Sequence, residues 1–109
     1  MNIIKKLALT FFMAISLSAS NVAFAEDAAA SATIAHIEEA LVEVGKADFN
    51  SAQAHLKAAR TSSDQITGNE AAVKQGYQCL VRGQILGKSA DAAKTTVELN
   101  KALGFYKSI

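Results

Sequence analysis

No proline occurs anywhere in this chain, so no position breaks a helix through ring geometry or a missing backbone donor. Beyond Glu26 the sequence is rich in Ala, Lys, Glu, Gln and Leu. These are good helix formers, and no alternating run of β-branched residues marks a strand. Apolar residues recur at helical spacing instead. Ile34, Ile37, Leu41 and Val44 stand 3, 4 and 3 residues apart, and Phe49, Ala52, Leu56 and Ala59 repeat the interval. Each set places one apolar stripe on one helix face.

The punctuation between stripes supports the same reading. Gly45 weakens the first helix and Asp48 can cap the second. The polar stretch 61–69 reads as the longest linker. Within it Thr67 and Glu70 have the spacing of a capping box, with Asn69 as the rival cap. A third helix is predicted over about 70–86, with Val73, Tyr77, Leu80, Val81 and Ile85 turned inward. Gly87 ends it, and Ser89 or Asp91 can cap the fourth. There Ala92, Thr96, Leu99, Leu103 and Tyr106 mark a face at spacing 4, 3, 4, 3. The expected architecture is all-α: an antiparallel up-down four-helix bundle of two αα-hairpins.

The hairpins also echo one another. Gly45-Lys46-Ala47-Asp48 returns as Gly87-Lys88-Ser89-Ala90-Asp91. His55-Leu56-Lys57-Ala58-Ala59 aligns with Glu98-Leu99-Asn100-Lys101-Ala102, 43 residues on. Tandem duplication of one hairpin is the inference, although an up-down bundle also produces similar turn spacing without one.

The N-terminus has a different character. Lys5 and Lys6 precede an apolar run, 7–17, then a polar spacer, then Ala23-Phe24-Ala25 ahead of Glu26. That is the order of a secretory signal peptide, with cleavage expected after Ala25. The run is shorter than the roughly 20 residues that span a bilayer. Residues 1–25 are therefore read as a Sec leader, and residues 26–109 as a single periplasmic domain. Losing Lys5 and Lys6 turns the formal charge from +1 to −1. So balanced a surface gives no electrostatic ground for nucleic acid or an anionic membrane as partner. Cys79 is the sole cysteine, so no internal disulfide forms. It is either a buried apolar residue or the link in a homodimer.

Chemistry-bearing residues are few. No Ser-His-Asp or Cys-His pairing stands out, and no glycine-rich phosphate loop follows a strand. Both methionines, Met1 and Met13, lie in the leader, which excludes a His/Met haem site in the mature chain. No Glu-x-x-His pair offers a di-iron centre. An enzyme is not expected. The histidines are His36 and His55. His36, Glu39 and Glu43 share one helix face, and His55 falls level with Glu38, within about a turn of His36. Imidazole with carboxylate is a reasonable donor set for Cu(II), Ni(II) or Zn(II). Against that, both histidines flank the apolar stripes, where a solvated imidazole is ordinary. Gly76, Gly83 and Gly87 weaken a helix; they permit either close helix approach or a groove for a small apolar ligand.

The first hairpin carries His36-Ile37-Glu38-Glu39-Ala40, then Gly45-Lys46, then His55-Leu56-Lys57. This succession resembles the periplasmic small metal-binding proteins (the SmbP type), short exported four-helix bundles of repeated hairpins. The resemblance implies that fold and compartment, and divalent-metal binding at His36 and His55, to which helix geometry adds Glu39. This chain departs from the family in histidine content. Its second hairpin has none, and Arg82, Val97 and Glu98 stand where histidine-rich stretches belong. The function expected is that of an exported, non-enzymatic bundle with weak or lost metal binding. The alternative is a periplasmic protein-interaction module, or a Cys79-linked dimer, without metal.

Overall fold

The computed structural model describes residues 28–109. The expected leader, residues 1–25, and its expected cleavage point lie outside the described residues. Four helices follow in order: α1 (Ala28–Gly45), α2 (Phe49–Ser63), α3 (Glu70–Lys88) and α4 (Ala92–Lys107). Each packs on its neighbours in a closed ring, α1 on α2, α2 on α3, α3 on α4 and α4 on α1. That is the expected up-down bundle of two hairpins. Among the described residues, no helix is long and apolar enough to cross a membrane.

The two hairpin turns are one structure used twice. In the first, Asp48 N–H donates to the Glu43 carbonyl (2.9 Å) and Ala47 N–H to that of Val44 (2.9 Å). In the second, Asp91 N–H donates to Leu86 (3.2 Å) and Ala90 N–H to Gly87 (3.0 Å). These nested bonds satisfy the last helical carbonyls and require a left-handed residue between the helices. Alanine takes that conformation both times, with φ of 60° at Ala47 and 58° at Ala90. Gly45 and Gly87 remain helical. Aspartate then caps the next helix: Asp48 accepts from Ser51 N–H (3.1 Å) and Asp91 from Lys94 N–H (3.0 Å). The Ser51 hydrogen bonds hold the Asp48 carboxyl below the usual carboxylate range. At α3 the N-cap position belongs to Asn69 in a left-handed conformation, not to Thr67.

The core confirms Ile37, Val44, Ala52, Leu56, Ala59, Leu80, Leu99, Leu103 and Tyr106 as inward residues. Ile34, Leu41 and Phe49 pack against it from its edge. On α3 the expected face is turned. Ile85 is 59% exposed, and Val73, Tyr77 and Val81 are half-buried. Gly76, Cys79, Leu80, Gly83 and Gly87 point inward instead. On α4, Ala92 is exposed and Thr96 half-buried, while Thr95 is buried.

Close approach explains the turned face. A Cβ at Gly76 would lie 2.6 Å from Tyr106 Cε2, one at Gly83 2.7 Å from Leu99 Cδ2, and one at Gly87 2.6 Å from Gln53 Nε2. Larger side chains from α2 and α4 thus fill the space the glycines leave. The three glycines serve close helix packing. Deep in the core, Tyr106 and Ser63 hydroxyls share a 2.7 Å hydrogen bond. Burial pushes the Tyr106 phenol up to about 12.

The seam between the hairpins is more polar. Gln53 Nε2 donates to the Gln84 carbonyl (2.9 Å), Arg60 Nε to Tyr77 Oη (3.1 Å) and Arg60 Nη1 to Gln84 Oε1 (2.9 Å). The Arg60 guanidinium also lies 5.3 Å from the centre of the Tyr77 ring, within cation–π range.

Candidate metal centre

The tight turn at 46–48 sets α1 and α2 antiparallel and fixes which residues meet across their outer groove. His36 and Glu39 are one turn apart on α1, and His55 comes opposite them from α2. Glu39 Oε1 lies 3.4 Å from His36 Nδ1 and 3.4 Å from His55 Nδ1. One donor atom from each of the three residues lies within 4.8 Å of the other two. Metal–nitrogen and metal–oxygen bonds of about 2.0–2.2 Å in tetrahedral geometry separate ligands by roughly 3.3 Å. The two separations from Glu39 lie in that range, and the remaining one is no more than 4.8 Å.

The burial of the site differs from expectation. The side chains are 16%, 26% and 26% exposed for His36, Glu39 and His55, so neither histidine is the solvated surface residue that its place beside the stripe suggested. Burial is the largest influence on His36 and lowers it from the usual 6.5, outweighing the raising effect of Glu39; nearby His55 lowers it further. An imidazole that resists protonation keeps its lone pair for a metal. Glu39, not Glu38, is the carboxylate at His55. Glu38 turns towards α4, where its Oε2 meets Lys107 Nζ at 3.5 Å. Glu43, on the same face one turn further, is not in the three-residue cluster.

No protein family, curated protein or solved structure matches this chain. The chemistry must be argued from the donors themselves. Two imidazoles and one carboxylate form an intermediate set, suited to Cu(II), Ni(II) or Zn(II) rather than to Ca(II) or Mg(II). Three protein donors leave part of the coordination sphere to water.

The second hairpin holds Arg82, Glu98 and Lys101 in its outer groove, with Cys79 buried beside Glu98. Glu98 Oε1 is 4.0 Å from Arg82 Nη1, and Glu98 Oε2 is 3.5 Å from Lys101 Nζ. Cys79 is 3% exposed. Burial, with the Glu98 charge beside it, pushes its thiol up, so it stays protonated and a poor donor. Elsewhere a shallow recess of about 410 Å³ lies where the α2–α3 connection meets α3, lined by Ile66, Val73 and Tyr77 with Asp64, Glu70 and Lys74 at its rim.

Proposed function

We propose that this is an exported, non-enzymatic bundle that binds one divalent transition-metal ion weakly through His36, Glu39 and His55. The observation that carries the reading is the convergence of two imidazoles on one carboxylate oxygen across the α1–α2 groove. The leader-like N-terminus and the resemblance to periplasmic small metal-binding proteins support the compartment and the class. Weak binding follows from the donor count, because two imidazoles leave most of the sphere to carboxylate and water.

The dimer alternative through Cys79 has less support. Its sulfur lies inside α3's packing face, and an intermolecular disulfide requires that helix to lift from the core. Calorimetric titration with Cu(II) tests the leading reading. One ion per chain is expected, with binding abolished in His36→Ala/His55→Ala. No heat at millimolar Cu(II), or full binding by the double variant, refutes it.

A further inference from the structure

The echo between the hairpins extends through the packing. Thr33, Ile37, Ala40 and Val44 of α1 are buried, and the residues 43 positions on, Gly76, Leu80, Gly83 and Gly87, are buried in α3 together with Cys79. Ala52, Leu56, Ala59 and Ser63 of α2 likewise correspond to Thr95, Leu99, Ala102 and Tyr106 of α4. The turns match at the same offset, left-handed alanine and capping aspartate included. Even the exposed apolar residues Val42 and Ile85 are counterparts. One register therefore superposes hairpin on hairpin, and it can be read at the groove.

At that register His36 corresponds to Cys79, Glu39 to Arg82, His55 to Glu98 and Ala58 to Lys101. The cross-hairpin contact is preserved while its partners change. In the first hairpin the carboxylate of Glu39 reaches from α1 to His55 on α2. In the second the guanidinium of Arg82 reaches from α3 to Glu98 on α4, with Lys101 on the other carboxylate oxygen. The first groove thus holds a half-buried carboxylate whose ion-pair partners are both histidines. The second holds a half-buried carboxylate already flanked by two permanent cations.

Resting on the metal reading above, we infer that both hairpins carry one cation-binding groove, filled from solution by a metal ion in the first and from within the chain by Arg82 and Lys101 in the second. The consequence is an asymmetric dependence on metal. The α3–α4 pair is neutralised by its own sequence and is indifferent to metal. In the α1–α2 pair the carboxylate's ion-pair contacts are imidazoles rather than permanent cations, so metal occupancy tightens that hairpin alone. Glu39 and His55 are on different helices, and an ion bound by both fastens α1 to α2.

The test exchanges the two grooves in the full chain, with Zn(II) as probe. Cys79→His/Arg82→Glu/Glu98→His writes the first groove into the second hairpin, and equilibrium dialysis should find two ions per chain against one for the wild type. A variant with native helical dichroism that still binds one ion overturns the inference. A wild-type chain that binds none refutes the metal reading instead. The groove inference is then decided by the reverse exchange, which requires no metal. Glu39→Arg/His55→Glu/Ala58→Lys places the internal cations in the first hairpin. In metal-free buffer it should slow amide exchange in α1 and α2 several-fold relative to wild type, leave α3 and α4 unchanged, and remove any response to Zn(II). Unchanged or faster exchange in α1 and α2 overturns the proposal, as does a wild type whose four helices are all slowed equally by Zn(II).

Discussion

Gly76→Ala sets two well-defined effects against each other. An exposed helical glycine replaced by alanine gains up to about 1 kcal/mol in helix propensity. At Gly76 the new methyl would meet Tyr106 Cε2 at 2.6 Å and Cζ at 2.9 Å, distances that real contacts do not hold. The ring must move, yet its hydroxyl is held by Ser63 at 2.7 Å in the core. Overpacking of this kind costs about 1–3 kcal/mol. Breaking a buried hydrogen bond and stranding its partners adds roughly 1–3 kcal/mol if the ring swings away. With the hydrogen bond lost, the propensity gain is outweighed and a net loss of about 1–5 kcal/mol is expected. Gly104 supplies the control, since it lies on the exposed side of α4 with nothing within 4 Å of a new Cβ. Gly104→Ala should stabilise by up to about 1 kcal/mol. Urea unfolding followed by far-ultraviolet dichroism measures both. If Gly76→Ala raises the midpoint as Gly104→Ala does, the glycine does not stand against the Tyr106 ring and the packing argument is wrong.

Other outcomes follow from single contacts. Leu99→Ala removes a fully buried side chain and should cost about 2–5 kcal/mol, whereas Leu41→Ala, at the core's edge, should cost less; equal losses would contradict the burial pattern. Ala47→Gly and Ala90→Gly each relieve a left-handed alanine and should stabilise by about 1 kcal/mol, read as higher urea midpoints; a loss at both would contradict the turn geometry. His36 titrates below 6.5 when folded and near 6.5 when unfolded, so the unfolded chain takes up that proton first. This contribution is complete above about pH 6.5 and declines as pH falls through the window below it. Zn(II) binding should weaken over the same range, and His36→Gln should flatten the decline in metal-free stability between pH 7 and 5.5; an unchanged slope would assign the pH dependence elsewhere. Mass spectrometry of the exported protein should find Glu26 at its N-terminus, and a membrane-retained species beginning at Met1 would exclude the processing.

The parts of the fold legible in the sequence were those carried by large apolar residues and by caps. The spacing of Ile37, Val44, Leu56 and Leu99 located three helix faces, and Asp48 and Asp91 marked two helix starts. The α3 face was misplaced because its inward residues are mostly glycine, which has no hydrophobicity to register, while Val73, Val81 and Ile85 are greasy and lie to one side. Thr95 was passed over for Thr96 because an apolar count does not distinguish adjacent threonines. Of the candidate site, His36, Glu39 and His55 could be proposed from spacing, but their convergence could not. It depends on which way each residue faces around α1 as well as on the 46–48 turn: Glu38 stands level with His55 along the axis but is directed to Lys107 on α4. The left-handed residues were equally hidden, since glycine is the usual choice there and Gly45 and Gly87 stand close by as decoys.

The repeat explains why two hairpins of such different composition share one backbone plan. Counterpart positions exchange volume in a compensating way. Going from α1 to α3, Thr33 becomes Gly76, Ala40 becomes Gly83 and Val44 becomes Gly87, each a loss of side chain. Going from α2 to α4, Ala52 becomes Thr95 and Ser63 becomes Tyr106, each a gain. One loss and one gain meet in space, because Tyr106 packs on Gly76; Leu99, the same size as its counterpart Leu56, fills the space at Gly83, and Gln53 of α2 fills that at Gly87. A core at close-packed density tolerates changes of this size only when total volume is kept. The groove on the outer surface has no volume to conserve, only charge to balance. There the first hairpin kept a carboxylate between imidazoles, and the second paired its carboxylate with arginine and lysine. Packing therefore held the two hairpins to one register, while the surface between their helices was left free to differ in the cation it takes.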